Sequence, residues 1–202
     1  TRSWGNSLFL IASTFRSDMN PTGTSEAWAG NRARSSMIRK FFPGVINVTD
    51  LTDLTTGRTS PASQWTRDGR ALFFAKDRTL EIEIPGRFVE GYSIAKWTNR
   101  RADGQATSNG QYTDTDIPFM RAAEAYLTYA EAVLRGAPAA GLTPLEAVNA
   151  LRTRAGARPQ TAVTLDYILD ERAREFAFEA HRRPDLIRFG KYGGNNNYLW
   201  PW

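Results

Sequence analysis

From residue 116 onward, apolar residues recur at every third or fourth position. In "DIPFMRAAEAYLTYAEAVLRG" (116–136), Met120, Ala123, Leu127, Ala130 and Leu134 fall on one stripe. That spacing predicts an amphipathic helix that Gly136 stops. "TPLEAVNALRTRAG" (143–156) carries a second helix with its start written into it. Thr143 stands at the N-cap, Pro144 at the first helical position, and Glu146 where its carboxylate can reach back to the cap. Leu145, Val148 and Leu151 make its buried stripe. A third helix is predicted over 164–181 from Thr164, burying Leu165, Ile168 or Leu169, Ala173, Phe176 and Ala180. "PDLIRFGKY" (184–192) predicts a last short helical turn closed by Gly190 or Gly193-Gly194. Short connections make these helices an array of antiparallel hairpins.

Before residue 114 the pattern is different. Short apolar runs alternate with Gly, Ser, Thr, Asn and Pro. "SLFLIAST" (7–14) and "GYSIAKWT" (91–98) read as strands or extended segments. "ALFFA" (71–75) and "LEIEI" (80–84) are expected to form a hairpin across "KDRT", since the second alternates with period two. "NRARSSMIRKFF" (31–42) predicts a helix ended by Pro43-Gly44. The stretches 15–30 and 99–113 are long polar loops without periodicity, a kind of segment that often carries function. The chain therefore divides into a loop-rich portion, 1–113, and a helical portion, 114–202.

Composition narrows the classes. Of 202 residues, 41% are hydrophobic and 23% charged, which is ordinary globular usage. Cysteine is absent, so no disulfide, thiolate zinc site or cysteine nucleophile can form. Nowhere do eighteen apolar residues run together. The net charge is +5, but the arginines are spread along the chain and most have an acid within four residues. Nucleic-acid binding needs clustering on one face and is not expected.

The densest chemistry lies in "LDERAREFAFEAHRRPDLIRFGK" (169–191). On a helix Glu171, Glu175 and Glu179 share one face, with Glu171 and Glu175 about 6 Å apart. That approaches the roughly 5–5.5 Å carboxylate spacing of a retaining glycosidase. Against this, Arg172, Arg174, Arg182 and Arg183 lie within two turns. Guanidinium neighbours lower a carboxylate's pKa, whereas a general acid needs it raised. A structural ion-pair network is the expectation, with a glycoside hydrolase as the rival. His181 is the only histidine, so a two-histidine metal site is excluded. It is expected to cap a helix C-terminus by donating to free carbonyls. No Gly-x-Ser-x-Gly elbow, Walker loop or Gly-x-Gly-x-x-Gly occurs.

Four segments, "DTDIPFMRAAEAYLTYAEAVLRG", "PLEAVNALRTRAG", "TLDYILDERAREFAFEAHRRPDLIRFGKY" and "YLWPW", appear in an order that resembles the C-terminal half of the SusD/RagB family. The likeness is good over about 90–202, looser over 1–89, and nearest the starch-binding branch. It implies a mainly α, SusD-like fold: an α-helical array with long loops and a few short strands. A tetratricopeptide-like superhelix would lie mostly in an N-terminal half that this chain lacks, and both portions would be parts of one domain. The resemblance also implies a nonenzymatic, surface-exposed lipoprotein of the outer membrane. Such a protein binds oligosaccharides for nutrient uptake and passes them to a SusC-like TonB-dependent transporter. Membrane attachment would come from a lipidated N-terminal cysteine outside this chain, which reads as an internal or C-terminal fragment. A purely helical protein-interaction module is the other rival.

Sugars present flat C–H faces, so a binding site stacks them on aromatic rings and holds their hydroxyls with planar polar groups. Six tryptophans supply such rings. Trp200 and Trp202 belong to "YLWPW" and are expected to pack on the scaffold, and Trp97 ends an extended run. Trp28, within "SEAWAGNRAR", is the first candidate platform. Gly30 allows tight backbone beside it, and Asn31, Arg32 and Arg34 offer donors. Trp65 is the second. The alternative for either ring is to fill a hole in the packing. No cofactor is expected. "DTD" (114–116) offers carboxylates for calcium, although capping of a helix by Asp114 or Asp116 accounts for them more simply.

Overall fold

The computed structural model describes residues 32–42, 68–74, 78–94, 96, 103, 105, 108 and 118–193. The segments 7–14, 15–30 and "YLWPW", most of 99–113, the "DTD" carboxylates and all six tryptophans lie outside them. The described residues form three short strands and five helices: β1 (Arg32–Ala33), α1 (Ser35–Phe41), β2 (Phe73–Phe74), β3 (Tyr92–Ile94), α2 (Ala122–Leu134), α3 (Pro144–Arg154), α4 (Leu165–Glu175) and α5 (Arg182–Arg188). This is a mainly α fold. The chain separates into two compact units, 1–38 with 44–64 and 71–117, and 39–43 with 65–70 and 118–202.

In the first unit the strands form an antiparallel sheet in the order β1-β3-β2. Ala33 pairs with Tyr92, and Phe73 pairs with Ile94. Two expectations are corrected here. Arg32 and Ala33 are strand, and the helix begins only at Ser35, where the Arg34 carbonyl accepts the Met37 and Ile38 amides. Phe73 and Phe74 pair with β3 instead of forming a hairpin with 80–84. The reason is local: Glu90 Oε2 accepts the backbone amides of Glu83 and Ile84, at 2.7 and 2.6 Å. Their ladder donors are thereby taken by a side chain, and the period-two pattern of "LEIEI" never becomes a strand.

The second unit is the helical array. Ala123, Leu127, Ala130, Ala147, Val148, Leu151, Ile168 and Phe176 make one buried cluster. Helix α2 packs on α3 and α4, and α4 on α5. Alanines at the α2 and α3 contacts let the helices approach closely. The capping box of α3 is present in full. Thr143 Oγ1 accepts the Glu146 amide at 3.2 Å, and Glu146 Oε2 accepts the Thr143 amide at 2.7 Å. Thr164 caps α4 by accepting the Tyr167 amide at 3.1 Å.

Several helix-face assignments change. Helix α2 starts at Ala122 with Arg121 at its N-cap, so neither Asp114 nor Asp116 caps it. Met120 precedes the helix and is 79% exposed, off the stripe where periodicity placed it. Leu145 and Leu165 are half-buried. Helix α4 ends at Glu175 instead of 181, and the chain turns through Phe178 and Ala180, both with positive φ (59° and 65°). Ala180 is exposed as a result.

Candidate functional site

The acidic face of α4 is built from the turns of one helix, and the surrounding segments bring arginines to it. Glu171 is fully buried and accepts Arg152 Nη1 at 2.9 Å and Arg174 Nε at 2.8 Å. Arg70 Nη2 lies 2.9 Å from its other oxygen. Glu175, one turn on, accepts Arg70 Nη1 at 2.7 Å, Arg154 Nη2 at 2.6 Å and the Arg121 guanidinium. Glu179 receives a bidentate pair from Arg121, at 2.8 and 2.9 Å. Arg70 is held in turn by Asp68, Nε to Oδ1 at 2.8 Å and Nη2 to Oδ2 at 2.7 Å. Five arginines and four acids thus share one network.

The electrostatics follow from that geometry. Burial pushes the Glu175 carboxyl up, but hydrogen bonds from Arg121 and Arg70 and the charges of both outweigh it and hold the group at about 2. Burial likewise raises Glu171, and Arg174, Arg70 and Arg152 reverse the shift, leaving it below the usual carboxylate range. Both groups are therefore ionised at neutral pH and surrounded by arginines. Neither can serve as a proton donor near pH 7, which a retaining mechanism on this pair requires. The acidic face is scaffolding.

Asp68 and Arg70 were not among the residues that periodicity singled out. Their signal in the sequence is "DGR" (68–70), a turn in which Gly69 donates its amide to the Ala155 carbonyl at 2.8 Å. A Cβ at Gly69 would stand 3.2 Å from that oxygen, so the close approach favours glycine. This turn carries Arg70 between Glu171 and Glu175.

His181 does not cap a helix C-terminus. It occupies the N-cap of α5, its carbonyl accepts the Asp185 amide, and its ring stacks on Phe176 at 4.4 Å. Helix α4 ends six residues before it, which removes the carbonyls it was expected to meet.

Of the residues proposed for a ligand, Trp28, Asn31 and Trp65 lie outside the described residues. Arg34 is exposed at the start of α1. Arg32 is engaged by the segment 85–90: its guanidinium donates to the carbonyls of Pro85 (2.7 Å), Arg87 (2.6 Å) and Glu90 (2.8 Å). It also lies 5.5 Å from the centroid of the Phe88 ring. Arg78, buried nearby, donates to the carbonyls of Phe88 (2.7 Å) and Gly91 (3.3 Å). Two arginines therefore collect the inward carbonyls of one loop. Among the described residues no cluster of acidic or histidine side chains could hold a metal ion, and no helix is long and apolar enough to cross a membrane.

The fold and this network define a helical unit braced by buried ion pairs, in a chain that also holds a separate loop-rich unit. Residues 59–200 match the sequence model of the SusD family. The whole chain is 37% identical over 228 aligned residues to the starch-binding protein SusD of Bacteroides thetaiotaomicron, of which it covers 40%. The chain belongs to the SusD family.

Proposed function

We propose that this chain is the glycan-contacting part of a nonenzymatic oligosaccharide-binding protein, and that its ligand is an α-glucan of the starch type. The observation that carries this is the 37% identity, running through all of the chain, to a protein that binds starch. The acidic face of α4 supports binding without cleavage, since Glu171 and Glu175 are committed to arginines. Trp28 is the proposed stacking platform, with Asn31 and Arg34 as hydroxyl partners and Trp65 as a second ring. Arg32 contributes by holding the 85–90 loop as much as by its own donors. The complete protein would sit at the outer-membrane surface through a lipidated N-terminus and hand its ligand to a SusC-like TonB-dependent transporter. The expected affinity lies between about 1 mM and 1 μM, equivalent to roughly −4 to −8 kcal/mol.

Titration of the 202-residue chain with maltoheptaose, followed by tryptophan fluorescence, tests the reading. A saturable change in the wild type, lost in Trp28→Ala at unchanged melting temperature, is expected. A folded chain that responds to no glucan overturns the reading.

A further inference from the structure

The loop 81–91 is an irregular segment braced by several hydrogen bonds. Two successive turns close it, with the Arg87 amide donating to the Ile84 carbonyl at 2.9 Å and the Glu90 amide to the Arg87 carbonyl at 3.0 Å. Inside, Arg32 and Arg78 bind the carbonyls of Pro85, Arg87, Phe88, Glu90 and Gly91. The Glu90 carboxylate, held below its usual range chiefly by the Ile84 amide, pins the other limb. So many internal bonds leave the loop's shape fixed before any partner arrives.

What this frame displays is apolar. Phe88 is 54% exposed, and Ile84 and Val89 are exposed beside it. Arg32 stands over one face of the Phe88 ring, 5.5 Å from its centroid, and the ring is still more than half exposed. An exposed aromatic ring costs little entropy to use when its loop and one of its faces are already held. Arg87, with a side chain 63% exposed, flanks it. Glu81 and Glu83 are exposed on the same loop and balance that charge, so the tip does not select an anion.

We infer that Phe88 is a second glycan subsite, taking one neutral pyranose ring on its exposed ring, with Arg87 donating to that sugar's hydroxyls. This rests on the α-glucan reading above. Size decides between a sugar and a protein at this tip. Ile84, Phe88 and Val89 together expose on the order of 300 Å², well under the roughly 800 Å² per partner of a stable protein interface. A single stacked sugar ring needs far less.

The test is calorimetric titration of the full chain with maltoheptaose, comparing wild type, Phe88→Ala, Phe88→Leu and Phe88→Tyr, with hydrogen exchange of 82–91 read alongside. Loss of about tenfold in affinity in Phe88→Ala and Phe88→Leu, retention in Phe88→Tyr, and ligand-induced protection of the loop are expected. Phe88→Leu keeps apolar bulk without a π-face, so it separates stacking from folding. If wild type binds and Phe88→Leu binds equally well, the subsite is overturned and the α-glucan reading stands. If wild type itself does not bind maltoheptaose, both fall.

Discussion

Arg121 grips the Glu179 carboxylate with two parallel hydrogen bonds, 2.8 and 2.9 Å long, and the residues on either side of Glu179 have left-handed backbone. Phe178 and Ala180 stand at φ 59° and 65°. The fork ties Glu179, in the turn beyond α4, to the N-cap residue of α2. Side chains at such φ values cost about 1 kcal/mol or more each.

That strain is measurable. Ala180 is exposed, and its replacement by glycine removes the Cβ clash without touching the Arg121 fork. Ala180→Gly is expected to stabilise the chain by roughly 0.5–1 kcal/mol, read as a higher urea midpoint at unchanged slope. A lower midpoint would mean that the turn carries no such strain.

Glu171→Gln separates scaffold from catalyst. The substitution keeps the shape but leaves Arg70, Arg152 and Arg174 facing a neutral amide in a buried site. Removing one partner of a buried ion pair costs about 3–5 kcal/mol, so a large fall in the unfolding midpoint is expected. A variant as stable as the parent would contradict the role assigned to the network. Any hydrolysis of starch by the parent that this variant lost would revive the glycosidase alternative.

The network also fixes the acid limit. Glu175 has its folded value near 2, below its ordinary 4.5, so it stabilises the fold only while ionised. Its contribution, about 3 kcal/mol, is complete above about pH 4.5 and is lost as pH falls through 2. Glu171 is shifted in the same direction. Urea midpoints should therefore be flat between pH 7 and 5 and fall steeply from 4.5 to 2. A fall already under way between pH 7 and 5 would show that other groups control acid stability.

That α4 carries ion pairs was legible from its alternating arginines and glutamates. Of the arginines near it, however, Arg174 pairs with Glu171, whereas Arg172 pairs with Asp185 and Arg183 donates to the Tyr192 hydroxyl. Arg70 and Arg121 were not legible as partners of α4. They come from turns 105 and 54 residues away, and no periodicity links a turn to a distant helix face. The "LEIEI" run failed for a related reason. Its alternation is real, but a glutamate later in the chain took the amides a strand would have used. Met120 and Ala180 were misplaced because a helical stripe was extended past the ends that Arg121 and Glu175 set.

By itself, the sequence determined that helices form, their caps at Thr143 and Thr164, most of the helical core stripe and the family, because each of these is written in local spacing and residue order. Tertiary structure alone decided where α2 starts and α4 stops, which strands pair, and how Asp68, Arg70 and Arg121 close the charged face. It also made a rigid loop of 81–91 and turned Phe88 outward. Those outcomes depend on hydrogen-bond donors and acceptors far apart in the chain, whose meeting no local pattern encodes.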